Sequence, residues 1–328
     1  VGLDNIDLDA CREQGVVVHP ATGANTLSVA EYVITVTLSL LRGAYASNAA
    51  MIAGDWPRNA LMGQEASGRV MGLVGFGGIA RAVAERARAM GMEIAAYDPF
   101  LSDDDPAWSG VRRCDIGTLL GLADVVSLHV PLTAETRGLI DAEAIAGMKP
   151  GAIVINTARG GVVNETALAQ ALREGRLGGA ALDVFETESL TAEAGARFEG
   201  LSNLILTPHI GGSTLEAQAS IGEDVSSKLA RYLSQGSTKG AVNVPEIEPG
   251  EIKAGRVRLL SFHANAPGFL TRLNESISST SANIAAQRLE TRNGLGYVVS
   301  DLEGPLPEDF LDRVNALEGS IRARLIRP

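Results

Sequence analysis

Cysteine is nearly absent: Cys11 and Cys114 are the only two in 328 residues. Two thiols make neither a disulfide framework nor a zinc ligand set, so a reducing, cytoplasmic setting and no metal centre are expected. Cations are in deficit, with 28 Lys and Arg against 39 Asp and Glu and a formal charge of −11. Nucleic-acid binding needs cations clustered along a phosphate backbone, and this balance argues against it. An anionic small molecule stays open, because one arginine fork holds a carboxylate inside an acidic protein. Long apolar runs are missing too. The best candidate, 32–41, is about half of what a bilayer requires and is bracketed by Glu31 and Arg42, so it reads as a buried helix. An initiator Met is also lacking, since the chain opens Val1-Gly2-Leu3-Asp4. The expectation is a start inside a domain, with an upstream segment that pairs with 16–18.

What is present is a regular alternation. Apolar runs at 70–74, 92–97, 124–130, 152–156, 179–184 and 203–206 have strand length, and helical stretches separate them. Strands apolar on both faces with helices between them predict a doubly wound, parallel α/β sheet of the Rossmann type. Helices are expected at 79–90, near Asp141 onward, and from the N-cap Asn164 to Gly175. A largely buried helix at 26–42 precedes the sheet. Another at 213–233, capped by Ser213 with Glu216 three residues on, follows it. Segment 234–255, rich in Gly, Pro, Ser and charge, is expected to be a linker. Beyond it the rhythm changes to strands at 256–263, 283–290, 296–302 and 320–326, with helices at 267–279 and 307–317. That βαββαβ order predicts a small ferredoxin-like domain.

Gly75-Phe76-Gly77-Gly78-Ile79-Ala80 follows a strand and opens a helix. Gly75 allows the tight turn, Gly77 lets backbone approach a pyrophosphate, and Ala80 permits close helix–sheet packing. The next strand ends at Asp98, placed to bond ribose hydroxyls and to repel a 2′-phosphate. No Arg follows it, so NAD is expected rather than NADP. The competing reading is a plain turn beside a solvated loop acid.

Three polar residues follow later strands: Arg159, Glu188 and His209. Ligands in such sheets bind beyond the carboxyl ends of the strands. Oxidising an alcohol needs a base near neutrality, which suits His209. A carboxylate such as Glu188 would orient it, and Arg159 would hold a substrate carboxylate. Spacing alone leaves alternatives: His209 as a strand cap, Arg159 on a helix C-terminus, Glu188 as one more exposed acid. His129 reads as a satisfied loop residue and His19 as structural.

The segments Ile155-Asn156-Thr157-Ala158-Arg159-Gly160-Gly161, Leu182-Asp183-Val184-Phe185 with Glu188, and Leu206-Thr207-Pro208-His209-Ile210-Gly211-Gly212 resemble three motifs of the D-isomer-specific 2-hydroxyacid dehydrogenases. So do 2–9 and Asn25-Thr26-Leu27-Ser28-Val29-Ala30-Glu31, and the similarity runs from Val1 to about Pro245. The resemblance implies Arg159 as substrate anchor, Glu188 as the histidine's partner and His209 as general acid/base. It implies cofactor contacts from Gly78, Ile79, Asp98, Val130, Thr157, Ala158, Asp183, Gly211 and Gly212. Ser189 departs from it, since the family usually has Pro after the glutamate.

The tail carries His263-Ala264-Asn265-Ala266-Pro267-Gly268, Ser281-Ala282-Asn283-Ile284-Ala285-Ala286-Gln287 and Ile321-Arg322-Ala323-Arg324-Leu325, and resembles the ACT domain of bacterial D-3-phosphoglycerate dehydrogenases. That resemblance implies oxidation of 3-phosphoglycerate at the head of serine synthesis. It also implies a homo-oligomer, dimeric or tetrameric, with L-serine held at a subunit interface by His263, Asn265 and Asn283. The competing reading is a tail that only oligomerises the enzyme. The domains expected are 1–24 with 213–240 as parts of a flavodoxin-like substrate domain, 25–212 for NAD, 241–255 as linker and 256–328 as the ACT domain. Other 2-hydroxy acids (glyoxylate or hydroxypyruvate, sulfolactate) and a non-catalytic NAD-sensing scaffold are the competing functions.

Overall fold

The computed structural model describes residues 2, 3, 5–44 and 47–327. Val1 and Asp4, named in the N-terminal expectations above, lie outside them. In chain order the elements begin α1 (Leu8–Glu13), α2 (Thr26–Arg42), α3 (Asn48–Ile52), β1 (Val70–Val74), α4 (Gly78–Ala89), β2 (Glu93–Tyr97), β3 (Arg112–Arg113) and α5 (Ile116–Leu122). They continue β4 (Val125–Leu128), α6 (Ala142–Gly147), β5 (Ala152–Asn156), α7 (Glu165–Arg173), β6 (Leu177–Leu182), α8 (Ala192–Gly195), β7 (Leu204–Leu206) and α9 (Leu215–Gln235). The last are β8 (Arg256–Ala264), α10 (Phe269–Ser278), β9 (Asn283–Arg292), β10 (Leu295–Glu303), α11 (Phe310–Asn315) and β11 (Ser320–Ile326). Two compact units result, Asn25–Gln218 and Val1–Ala24 with Ala219–Pro328.

In Asn25–Gln218 a seven-stranded sheet runs β3-β2-β1-β4-β5-β6-β7, every pair parallel. Chain order reverses between β1 and β4, which opens a crevice at their carboxyl ends. Both faces are apolar because both are covered. Leu119, Val126, Val154 and Leu168 build one layer, and Val33, Leu73, Val83 and Ile155 the other. Asp115, Asp141 and Asn164 cap α5, α6 and α7, each accepting an N–H of the first turn. β3 and α5 were not anticipated; an Arg-Arg strand of two residues has no apolar signature. The expected cap Ser213 is displaced by Thr214, whose Oγ1 accepts the Ala217 N–H at 3.1 Å, while the Ser213 N–H turns back to the Ile210 carbonyl at 2.8 Å.

In the other unit, β11-β8-β10-β9 form an antiparallel sheet in the expected βαββαβ order. Leu259, Val298 and Leu302 pack under Phe269, Leu273, Ile277, Phe310 and Val314 of the two helices. The opposite face bears Leu260, Phe262, Tyr297 and Val299, and Ala241, Val244 and Ile247 cover it. The segment expected to be a linker is therefore partly core. The Thr238 N–H and the Ile247 carbonyl join at 2.9 Å, with the Thr238 hydroxyl donating to Pro245 at 2.8 Å. Polar composition hid a few apolar residues that satisfy their backbone locally. Residues 16–18 are likewise engaged, by the Asn243 amide on Val18 N–H and Val16 carbonyl and by Val242 on the Val18 carbonyl.

Candidate active site

The Gly-rich turn is shaped by close approach. Gly75 has φ of +85°, and a Cβ there would fall 2.7 Å from the His129 carbonyl oxygen. At Gly77, the N-cap of α4, a Cβ would meet nothing within 4 Å, so the helix N-terminus beginning at Gly78 and Ile79 faces open space. Asp98, just past β2, accepts the N–H of Phe76 at 2.8 Å and of Phe100 at 2.9 Å. The acid meant for ribose thus also braces the turn meant for phosphate. Val130 lies against Gly75, and the Thr157 hydroxyl is buried without a hydrogen-bond partner. Open space over a helix N-terminus, an acid at the second strand and an orphaned hydroxyl across the crevice all fit NAD. His129 bonds the Ser127 hydroxyl at 3.0 Å, and burial pushes its pKa down to about 4, which keeps it neutral as a loop residue.

Arg159, Glu188 and His209 follow β5, β6 and β7, three adjacent strands. Asn156 shapes the Arg159 turn: its amide donates to the Arg159 carbonyl at 2.9 Å and its Oδ1 accepts from Ala158 at 3.0 Å. Half-buried Arg159 folds Nη1 onto the Ala158 carbonyl at 2.6 Å. His209 Nδ1 meets both Glu188 oxygens, at 3.0 and 3.1 Å, with the two side chains about half exposed. Glu188 and His209 therefore form one direct pair, and Arg159 stands on the neighbouring loop. A pocket of about 360 Å³ opens beside the pair, walled by Phe185, Leu190, Leu206 and Pro208.

His209 adopts φ of +57°, a left-handed backbone that non-glycine residues seldom hold unaided. Asp183 supplies the hold. Its buried carboxylate accepts the Thr207 hydroxyl at 2.6 Å, Ile210 N–H at 2.8 Å and Gly211 N–H at 2.7 Å, bracketing His209 on both sides. The resemblance implied a cofactor contact for Asp183; the structure gives its carboxylate to the loop. Gly212 sits against the Asn25 amide, where a Cβ would fall 2.6 Å away.

A second brace was not foreseen. Glu165 accepts the Glu186 N–H, Glu186 accepts the Glu165 N–H at 3.3 Å, and Arg197 reaches both carboxylates at 3.4 Å. Burial raises the pKa of Glu165. The bracket fixes the segment two residues before Glu188, and in the sequence Glu165 is no more than an acid opening a helix.

The three proposed effector residues do not converge within one chain. His263 is buried, its ring stacked on Phe269 at 4.0 Å and lying over Gly296, where a Cβ would be 2.2 Å from Nε2. Asn265 and Asn283 are exposed, beside Gly294 and opposite Glu303 respectively. Those two points on the β10 register are about 30 Å apart at roughly 3.3 Å per residue. Sequence proximity to turns could not reveal that β8 ends where β9 does not begin.

Among the described residues no helix is long and apolar enough to cross a membrane, and no cluster of His, Cys, Asp and Glu could hold a metal. Residues 34–211 match the family model for the NAD-binding domain of D-isomer-specific 2-hydroxyacid dehydrogenases. The chain is 59% identical over 222 residues to an (S)-sulfolactate dehydrogenase of Chromohalobacter salexigens, covering 67% of this chain and 71% of the relative. It is 42% identical over 330 residues to D-3-phosphoglycerate dehydrogenase of Escherichia coli K12, covering 99% of this chain and 80% of the relative. A glyoxylate reductase structure from Paecilomyes thermophila superposes with a TM-score of 0.68 at 33% identity, over 74% of this chain and 73% of that one. A D-lactate dehydrogenase of Aquifex aeolicus, complexed with NAD and lactic acid, gives 0.67 at 30% identity, over 75% and 78%. The chain belongs to the D-isomer-specific 2-hydroxyacid dehydrogenase family and is an NAD-dependent oxidoreductase.

Proposed function

We propose that the protein oxidises D-3-phosphoglycerate to 3-phosphohydroxypyruvate, with Arg159, Glu188 and His209 at the reacting centre. The observation carrying the mechanism is the His209–Glu188 pair. A carboxylate only accepts, so Nδ1 keeps its hydrogen and Nε2 presents a lone pair to the substrate hydroxyl. His209 takes that proton, and Glu188 stabilises the imidazolium formed. The Arg159 guanidinium holds the substrate carboxylate and fixes which face of C2 is presented. Bound at the Gly75–Ile79 turn, NAD supplies the hydride acceptor. Identity to phosphoglycerate dehydrogenases over 99% of the chain, tail included, supports this substrate.

The 59% identity to a sulfolactate dehydrogenase favours a second reading. The two substrates are close in chemistry: three carbons, a 2-hydroxyl and an oxyanion group on C3. Their handedness also agrees. Sulfur raises the C3 arm above the carboxylate in priority, so the S label of sulfolactate and the R label of D-3-phosphoglycerate describe one spatial arrangement. The test is NADH formation with each acid and with glyoxylate reduction as a control. Higher kcat/KM for 3-phosphoglycerate supports the first reading, and higher kcat/KM for sulfolactate replaces it.

The ACT-like tail is proposed to bind L-serine between two copies of the chain. Asn265 of one copy and Asn283 of another would meet where one chain alone keeps them apart. Serine at millimolar concentration is expected to lower turnover, and an unchanged rate would remove the regulatory reading.

A further inference from the structure

We propose that Tyr32 is a positioning residue for His209, acting through the hydroxyl of Thr207; this rests on the reading of His209 as the proton acceptor. Tyr32 lies on α2 among Val29, Val33 and Val36, the residues that face the sheet. A phenol set in an apolar stripe must find a partner for its hydroxyl. Tyr32 Oη finds Thr207 Oγ1 at 2.5 Å, and Thr207 Oγ1 lies 2.6 Å from Asp183 Oδ1.

The proton order follows from chemistry. A carboxylate only accepts, and threonine has one hydroxyl hydrogen, so Thr207 donates to Asp183. Tyr32 therefore donates to Thr207. Burial raises the Tyr32 pKa, which keeps that donor protonated.

Thr207 stands two residues before His209, whose N–H returns to the Thr207 carbonyl at 3.0 Å. On the far side Ile210 and Gly211 donate to the same Asp183 carboxylate. The left-handed His209 is thus suspended between anchors on one buried acid. Ile210 and Gly211 are backbone anchors and stay in place, whereas Thr207 is a side chain with a χ1 rotor. Tyr32 locks that rotor toward Asp183. α2 thereby reaches the catalytic turn through Thr207.

The experiment is steady-state oxidation kinetics of the full chain for Tyr32→Phe, alone and in a Thr207→Val background. Tyr32→Phe is expected to lower kcat roughly five- to twentyfold with the KM for NAD and hydroxy acid little changed, and to have no further effect once Thr207 is Val. Unchanged kcat, or an equal loss in both backgrounds, overturns the proposal. Should Tyr32→Phe fold poorly, Thr207→Val against Thr207→Ser carries the test: loss with valine and substantial recovery with serine supports it, and equal loss overturns it. His209→Gln, run alongside, separates the readings. An active His209→Gln removes the base assignment. An inactive one beside a fully active Tyr32→Phe removes only the role of Tyr32.

Discussion

Gly160 presses on Phe185 so closely that a Cβ at Gly160 would fall 1.6 Å from the Phe185 carbonyl oxygen. This backbone contact joins the turn bearing Arg159 to the loop bearing Glu188, and through Glu188 to His209. Gly160→Ala is expected to push the two loops apart by an ångström or so and lower kcat/KM by about a hundredfold, because reacting groups tolerate little misplacement. NAD affinity, followed by fluorescence titration, should move far less. A variant that loses both equally would place Gly160 in general folding instead.

Asp183→Asn offers a sharper case. Three donors converge on this carboxylate, and an amide turns one acceptor edge into a donor facing another donor. The expected cost is about 1–3 kcal/mol of stability, read by urea unfolding, together with a clear loss of kcat. Native stability with native turnover would mean the His209 turn holds itself.

His129 gives a pH dependence whose sign can be worked out. Its folded pKa, about 4, lies below the reference 6.5, so the folded state prefers the neutral ring. The stability it contributes is full above pH 6.5 and is lost as pH falls toward 4, about 3 kcal/mol in all. Denaturant midpoints across that window should fall more steeply for the native protein than for His129→Gln. Parallel slopes would contradict a ring held neutral by the fold.

Asp98→Asn keeps an oxygen for the Phe76 N–H yet removes the charge facing a 2′-phosphate. The ratio of NADP to NAD kcat/KM should rise at least about tenfold. No change in that ratio would show that Asp98 serves the turn alone.

Much of this was legible because the signals were local. A strand, Gly75-Phe76-Gly77-Gly78, a helix and then Asp98 form a pattern whose parts are neighbours in sequence, and the parallel strands are apolar runs that need no partner to be recognised. What escaped depends on what lies opposite. The resemblance gives Asp183 as a cofactor contact, and its hold on the 207–211 turn shows only once that turn is folded over it. His263 comes with the resemblance as an effector residue, and its burial over Gly296 shows only once the two strands are paired. Tyr32 is one more aromatic in an apolar stripe until Thr207, far along the chain, accepts its hydrogen bond. Val244 and Ile247 hide in a polar stretch because their importance is to the sheet face they cover.

His209, oriented by Glu188, is proposed to take the hydroxyl proton. The most direct measurement of that role is kcat for NADH formation by His209→Gln beside the native chain, with NAD affinity measured on the same samples. The expected kcat is lower by about a hundredfold to ten-thousandfold, with NAD binding retained. Turnover near the native value would contradict it.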